Sequence, residues 1–169
     1  MTDGIENPYV APQADLEVHR DPGDLSVFPR FSTWLVLLLS IVTLGIYAFW
    51  WIYDRTRKLN TISEDKLPMG LVKTYIIFSV LGTFLPIIFT IVMINSAQSS
   101  SFALVSLLGN LLSFVGFVLL EIWAFQFRNR LNSLTHSQGQ KTWAGGVMTF
   151  FFTALYMSYK INQHLDRRS

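Results

Sequence analysis

FALVSLLGNLLSFVGFVLLEIWAFQF, residues 102–127, contains one charged side chain, Glu121. A helix needs roughly 20 apolar residues to cross the hydrocarbon core of a bilayer, within a range of about 17–25. Three other apolar segments surround this one, and the last of them is only marginally long enough. The pattern predicts an all-α integral membrane protein, a bundle of about four transmembrane helices. The predicted spans are about 31–53, 71–94, 102–127 and 143–159.

The composition supports a membrane protein and excludes several classes of site. Of the 169 residues, 51% are hydrophobic and 14% are charged, whereas soluble domains are about 25% charged. The chain has no cysteine, which excludes disulfides, thiol catalysis and cysteine-ligated metals. The net charge of +2 comes from basic residues that flank apolar segments. We therefore expect a lipid bilayer as the partner, and no nucleic acid.

Residues 1–30 differ from the rest of the chain. They hold six acidic and two basic residues and four prolines, and no apolar run that resembles the core of a signal peptide. Such a segment buries too little apolar surface to fold alone. We predict an acidic, extended or disordered N-terminal tail at 1–30 and a basic helical membrane domain at 31–169.

The loops give an orientation. Lysine and arginine are enriched in cytoplasmic loops, and they occur in loops 54–70 and 128–142 but not in the connector 95–101. We predict that these two loops are cytoplasmic. Strict alternation of four spans leaves eight basic residues inside and five outside, which is a weak bias. An alternative folds the first or last segment back as a re-entrant hairpin, with a break at Thr43-Leu44-Gly45 because glycine weakens a helix.

Three apolar segments end alike, with aromatic residues followed by basic residues and an asparagine. Aromatic rings favour the headgroup level, and lysine and arginine extend toward lipid phosphates. The pattern is typical of interfacial anchors, and an internal repeat with a functional basic collar is the alternative. The candidate anchors are Arg55, Arg57, Lys58, Arg128, Arg130 and Lys160.

Small and polar residues recur at helical spacing in each apolar segment. Small residues let membrane helices approach closely, and polar side chains add interhelical hydrogen bonds. We expect these stripes to face one another, although a polar conduction path needs the same pattern. The second segment aligns Tyr75, Ser79, Gly82, Pro86 and Thr90. The candidate packing or functional residues of the first and third segments are Tyr47, Gly109, Asn110, Ser113 and Gly116.

Glu121 is the one acid inside an apolar run. Carboxyl groups within membrane segments are costly and are functional candidates by default. Three roles stay open: a structural acid that is protonated or paired, a contact between subunits, and a proton or cation site. Lys73 and Arg128 are the candidate partners. We expect Glu121→Leu to harm folding or partner capture and Glu121→Gln to be tolerated better.

The sequence contains no pattern of a catalytic or cofactor site. The zinc-protease, nucleophile-elbow, phosphate-loop and dinucleotide motifs do not occur. The three histidines are scattered at 19, 136 and 164, and none has a second ligand one helical turn away. We therefore predict a protein that is not an enzyme and holds no cofactor or metal.

Two short motifs carry a resemblance. The run TLGIYAFWWIY at 43–53, followed by basic residues, resembles a family of small bacterial multi-pass inner-membrane proteins of unknown function, marked by a Gly-Ile-Tyr…Trp…Tyr helix. The ending YMSYKIN at 156–162 is similar to the ending of that family. The run NPYVAPQA at 7–14 resembles an N-terminal signature of assorted bacterial membrane proteins. The resemblance implies a bacterial inner membrane and supplies no activity.

These observations favour a small non-catalytic subunit that acts by interaction or assembly in a membrane complex, either heteromeric or as a homo-oligomer. The alternative is an oligomeric transporter or channel component that uses the intramembrane polar faces and Glu121. The candidate docking residues of the tail are Asn7, Pro8, Tyr9 and Pro12.

Overall fold

A computed structural model describes residues 24–93, 99–135 and 143–167. Within these residues the chain forms helices and no strand, which confirms the all-α class. The helices are α1 Thr33–Val42, α2 Ile46–Ile62, α3 Met69–Met93, α4 Ser99–Leu134 and α5 Gly146–Asp166.

Two of the described helices are long and apolar enough to cross a membrane. They cover Met69–Val92 and Phe102–Leu134, each with a mean hydropathy of 2.3 in its most apolar stretch. Only 11% of that stretch is buried in either helix, whereas the core helix of a soluble protein is mostly buried. The structure thus has two such helices where the sequence predicted four, because the first and last apolar segments do not form single helices.

The first apolar segment is broken at the residues considered above as a break point. Leu44 and Gly45 have φ values of 50° and 90°, a left-handed conformation in which an α-helix ends. α2 then runs back beside α1, since the rings of Phe31 and Tyr47 lie 6.2 Å apart. A continuous helix would separate these two residues by about 24 Å at 1.5 Å per residue. We call residues 31–53 the first hairpin.

The last apolar segment also reverses, at Thr153 (φ 36°, ψ −113°). The rings of Trp143 and His164 lie 5.4 Å apart, although a straight helix would separate them by about 31 Å. The Tyr156 hydroxyl lies 3.0 Å from the Gly145 amide and accepts its hydrogen bond. The two halves of α5, 146–152 and 154–166, therefore lie side by side. We call residues 143–166 the second hairpin.

The core lies where both hairpins pack around one end of the α3–α4 pair. Its largest fully buried side chains include Trp51, Trp123, Phe127 and Met157. Residues 24–30 join this core, because Leu25 and Phe28 are 0% and 1% exposed. The last residues of the predicted tail 1–30 are therefore packed against the core through these two apolar side chains.

We call the core region, residues 24–73, 122–135 and 143–167, the head. The remaining parts of α3 and α4, residues 74–93 and 99–121, form the stem. The hairpins are joined in the head by Asn162, whose side-chain amide donates to the Phe31 carbonyl at 2.7 Å. Thr33 and Ser158 place their hydroxyl oxygens 3.3 Å apart. These contacts align the two hairpins in one direction, toward the stem.

Candidate functional site

The stem is held by contacts between small residues. A methyl group added to Gly82 would lie 2.6 Å from the Ser113 backbone nitrogen, and one added to Gly116 would lie 2.7 Å from the Ser79 hydroxyl oxygen. A methyl group on Gly109 would meet the Pro86 ring. Gly82, Gly109 and Gly116 therefore lie in the contact between α3 and α4, and the two helices approach as closely as glycine permits.

The two helices are antiparallel, and these contacts fix one register between them. Moving one residue forward along α3 corresponds to moving one residue backward along α4. The register places Lys73 at the level of Ile122, next to Glu121. The stretches beyond this level, 74–93 and 102–121, are each about 30 Å long at 1.5 Å per residue. This length matches the hydrocarbon thickness of a typical bilayer. The first charged residues of α3 and α4 thus lie at one common level.

Asn110 lies close to the middle of the stem, and its side chain is exposed. The structure gives its carboxamide no hydrogen-bond partner among the described residues. Leu107 and Phe114, one helical turn to either side, are 56% and 65% exposed. Asn110 is therefore not part of the α3–α4 contact that Gly109 and Gly116 make. It is an amide on an otherwise apolar outer face.

Glu121 is buried, with 9% of its surface exposed. Both carboxyl oxygens are inaccessible and have no hydrogen-bond partner among the described residues. Neither predicted partner pairs with it: Lys73 is exposed, and the Arg128 Nε donates to the Ala144 carbonyl at 2.9 Å. Glu121 shares a helix face with Phe117, which packs on Phe150 of the second hairpin. The carboxyl group is thus enclosed next to that hairpin.

Two predicted anchors, Arg55 and Lys160, are buried in the head rather than directed outward, with 5% and 6% exposure. The Arg55 guanidinium lies 5.4 Å from the Trp51 ring and donates to the Pro29 carbonyl. Burial lowers the pKa of Arg55, and the nearby Asp54 carboxylate opposes that change. Burial likewise lowers the pKa of Lys160, and the Arg167 charge adds to the effect.

The other predicted anchors take different positions on the head. Arg57 is exposed. Lys58 forms an ion pair with Asp54 at 2.7 Å, and Arg130 pairs with Asp65 at 3.0 Å. Arg55 and Lys160 are therefore used for packing inside the head, whereas Arg57, Lys58 and Arg130 lie at its surface. The sequence pattern alone did not separate these residues from lipid-facing ones.

The hairpins expose apolar side chains that the sequence analysis did not single out. At the turn of the first hairpin, Leu44 is 80% exposed, and at the turn of the second, Phe151 is 71% exposed. Exposed apolar residues continue along both hairpins, and they include Trp34, Leu38, Ile41, Val42, Ile46, Trp50, Val147, Met148, Phe150 and Phe152. In the sequence, Gly45 indicated a turn in the first segment, and the last segment is only marginally long enough to span. Nothing indicated that the last segment turns at Thr153.

The candidate tail residues Asn7, Pro8, Tyr9 and Pro12 lie outside the described residues. Tyr47 stacks between Phe31 and Trp50 in the first hairpin. Within residues 24–93, 99–135 and 143–167, no three potential metal ligands come together.

Comparison with known protein families identifies a match. Residues 31–133 match the model of a protein family described as a domain of unknown function (DUF4234). The matched region covers more than half of the chain and includes the first hairpin, the stem and the adjoining part of the head. No curated protein and no solved structure matches the chain.

Proposed function

This chain belongs to the DUF4234 family of domains of unknown function, and from that premise we propose a non-catalytic assembly subunit of the bacterial inner membrane. The stem supplies two spans, and the two hairpins enter the bilayer from one side only. Two stretches of hydrocarbon length and two short hairpins that point along them support this arrangement. The four apolar segments are then two spans and two re-entrant hairpins.

The charge distribution supports this topology and orients it. With two spans, only the connector around 95–101 lies on the far side, and it holds none of the 13 lysine and arginine residues. All 13 lie on the head side in this topology, whereas strict alternation of four spans places eight of them on one side and five on the other. Because positive charge favours the cytoplasm, the head, the N-terminal tail and the C-terminal end are cytoplasmic in this proposal.

The observation that carries the assembly function is the exposed amide of Asn110 at mid-stem. In hydrocarbon an amide gains by hydrogen bonding to a polar group of another helix. A carboxamide both donates and accepts, so it is complementary to its own copy across a two-fold axis. We propose that a second copy of this chain binds at the face of α4 that contains Leu107, Asn110 and Phe114.

Disulfide cross-linking in membranes tests this contact, because the chain has no cysteine of its own. A single Leu107→Cys or Phe114→Cys variant is expected to form a covalent dimer. Ile88→Cys is the matched control, since Ile88 is 58% exposed on α3 at the same depth as Leu107. Asn110→Leu, combined with Leu107→Cys, should lower the dimer yield. Equal cross-linking at positions 88 and 107 would contradict a specific contact.

Glu121 favours a second candidate, an oligomeric transporter or channel component. Its carboxyl group is enclosed without a hydrogen-bond partner among the described residues, and an acid within a membrane segment is a functional candidate by default. The small residues between α3 and α4 are in close contact, so any path would lie between copies. Flux in liposomes that is lost in Glu121→Ala and kept in Asn110→Ser would support this candidate over assembly alone.

A further inference from the structure

We propose that the head is a wedge for a single leaflet, so that the protein accumulates where the bilayer is convex toward the head side. The proposal rests on the two-span topology proposed above and concerns a different partner, the lipid surface itself. It follows from the depth of the hairpins, from their exposed surface and from the cross-sections of the two ends of the molecule.

The depth of the hairpins follows from ring contacts with the stem. In the second hairpin, Phe150 packs on Phe117 at a centroid distance of 6.5 Å, about one helical turn below the level of Glu121. In the first hairpin, Phe49 packs on Tyr75 at 5.7 Å, just below the level of Lys73. The turns of both hairpins thus reach past the common level of the first stem charges. They enter one leaflet by about 10 Å, the depth typical of interfacial helices.

The surface of the hairpins fits lipid at this depth. Leu44 and Phe151, at the two turns, are 80% and 71% exposed. Trp34 and Trp50, farther from the turn of the first hairpin, are 80% and 55% exposed. Tryptophan favours the headgroup level, so these rings mark where the hairpin leaves the hydrocarbon. An apolar patch of this extent on a charged head indicates a membrane contact.

The two leaflets then hold different amounts of protein. Near the head, the stem helices are accompanied by the two arms of each hairpin, which makes six helical cross-sections. In the opposite leaflet only the two stem helices remain. A helix about 10 Å in diameter has a cross-section of roughly 80 Å², so the difference is about 300 Å² in favour of the head side. An excess of area in one leaflet favours a bilayer that is convex on that side, and interfacial helices are sensitive to curvature.

The test uses the full chain, labelled at an introduced Arg167→Cys and reconstituted into small and large vesicles of one lipid composition. Protein density per lipid area is measured on single vesicles, for molecules whose label lies outside. We expect a several-fold higher density on the small vesicles. The double variant Phe151→Asp/Phe152→Asp should lose most of this enrichment, because carboxylates keep the turn out of hydrocarbon.

Two exposed positions on the head, Thr61 and Asn129, provide the control. Thr61→Asp/Asn129→Asp adds the same charge without touching the hairpin turns and should keep the enrichment. Leu44→Asp tests the first hairpin independently, so that failure of one variant to fold does not end the test. One outcome would overturn the wedge and leave the topology intact: equal protein density on both vesicle sizes, while Arg167→Cys and Ser96→Cys are labelled from opposite sides of the membrane. Labelling of both cysteines from the same side would overturn the topology and the wedge together.

Discussion

The stem and the head are stabilised by different kinds of packing. In the stem, glycine and serine bring two backbones together, and large apolar side chains such as Ile91 and Phe114 face outward. In the head, large aromatic side chains such as Trp51 and Trp123 are fully buried, as in a soluble core. The difference indicates two environments for one chain: the outer surface of the stem suits lipid, and the head combines a packed core with hairpins that, in our proposal, enter one leaflet.

The largest expected effect concerns the head core. Trp123 is fully buried and its indole nitrogen donates to the Thr56 hydroxyl at 2.8 Å. Trp123→Ala should cost about 3–5 kcal/mol of unfolding free energy. Thermal unfolding in detergent, followed by near-ultraviolet circular dichroism, measures it. Far-ultraviolet signal from the stem should persist when the head melts. Trp50→Ala, at a 55% exposed position, should change little, and an equal loss there would contradict a separate head core.

The next effect concerns the stem contact. Gly82→Ala places a methyl group against the Ser113 backbone and should cost about 1–3 kcal/mol, as overpacking does. Gly70→Ala is the control, because nothing lies within 4 Å of a methyl group there. Alanine is a better helix former than glycine, so the control should be neutral or stabilising. The same denaturation series compares them, and a stabilising Gly82→Ala would mean that α3 and α4 are farther apart.

Glu121 lies where the stem meets the head, and its burial leads to a prediction opposite to the one drawn from the sequence. A buried carboxyl group without partners among the described residues costs desolvation energy, and an apolar side chain of similar shape removes that cost. Glu121→Leu should therefore raise the unfolding free energy by about 1–3 kcal/mol, and Glu121→Gln should raise it less. A destabilised leucine variant in the same thermal assay would reveal a partner for the carboxyl group.

The reversal in α5 can be tested by the sign of a glycine substitution. Thr153 has a φ of 36°, which glycine adopts without strain, so Thr153→Gly should be neutral or stabilise by up to about 1 kcal/mol. Ser158→Gly, one helical turn inside the second half of α5, should cost about 1 kcal/mol. Chemical denaturation of both variants measures the difference. Equal losses would indicate a continuous helix through Thr153.

The smallest effect is expected at the surface of the head. Arg30 and Asp166 form an ion pair at 2.9 Å, with side chains 70% and 47% exposed. Exposed pairs contribute about 1 kcal/mol or less. Arg30→Ala should therefore lower the unfolding temperature only slightly, and less in high salt. A large loss would show that this pair, rather than the buried core, holds the chain end in place.

The sequence predicted the stem better than the head for a physical reason. Packing of membrane helices depends on small residues at helical spacing, and that spacing at Gly82, Gly109 and Gly116 can be read directly. The break at Gly45 also left a signal, because glycine weakens a helix. The reversal at Thr153 cannot be predicted from the sequence, since a β-branched residue is not typical of positive φ. A prediction that treats this segment as one straight helix places Lys160 at the membrane interface instead of in the head core.

The reversals at Gly45 and Thr153 together account, in the proposed topology, for the weak charge bias of the four-span prediction. Treating 143–159 as a span placed the C-terminal basic residues opposite loops 54–70 and 128–142. Folding the segment back returns them to the same side as Arg57 and Arg130. In the proposed topology the break at Gly45 likewise returns Arg20 and Arg30 to that side, so the two turns together place all 13 basic residues on one side of the membrane.

Labelling of single cysteines with a membrane-impermeant maleimide tests this central claim most directly, because the parent chain has no cysteine. Glu64→Cys lies in an exposed head loop, Ser96→Cys in the connector between the spans, and Arg167→Cys after the second hairpin. In intact cells we predict labelling of Ser96→Cys alone, with the other two labelled only after the membrane is opened. Labelling of Arg167→Cys together with Ser96→Cys in intact cells would make the last segment a true span and contradict the account.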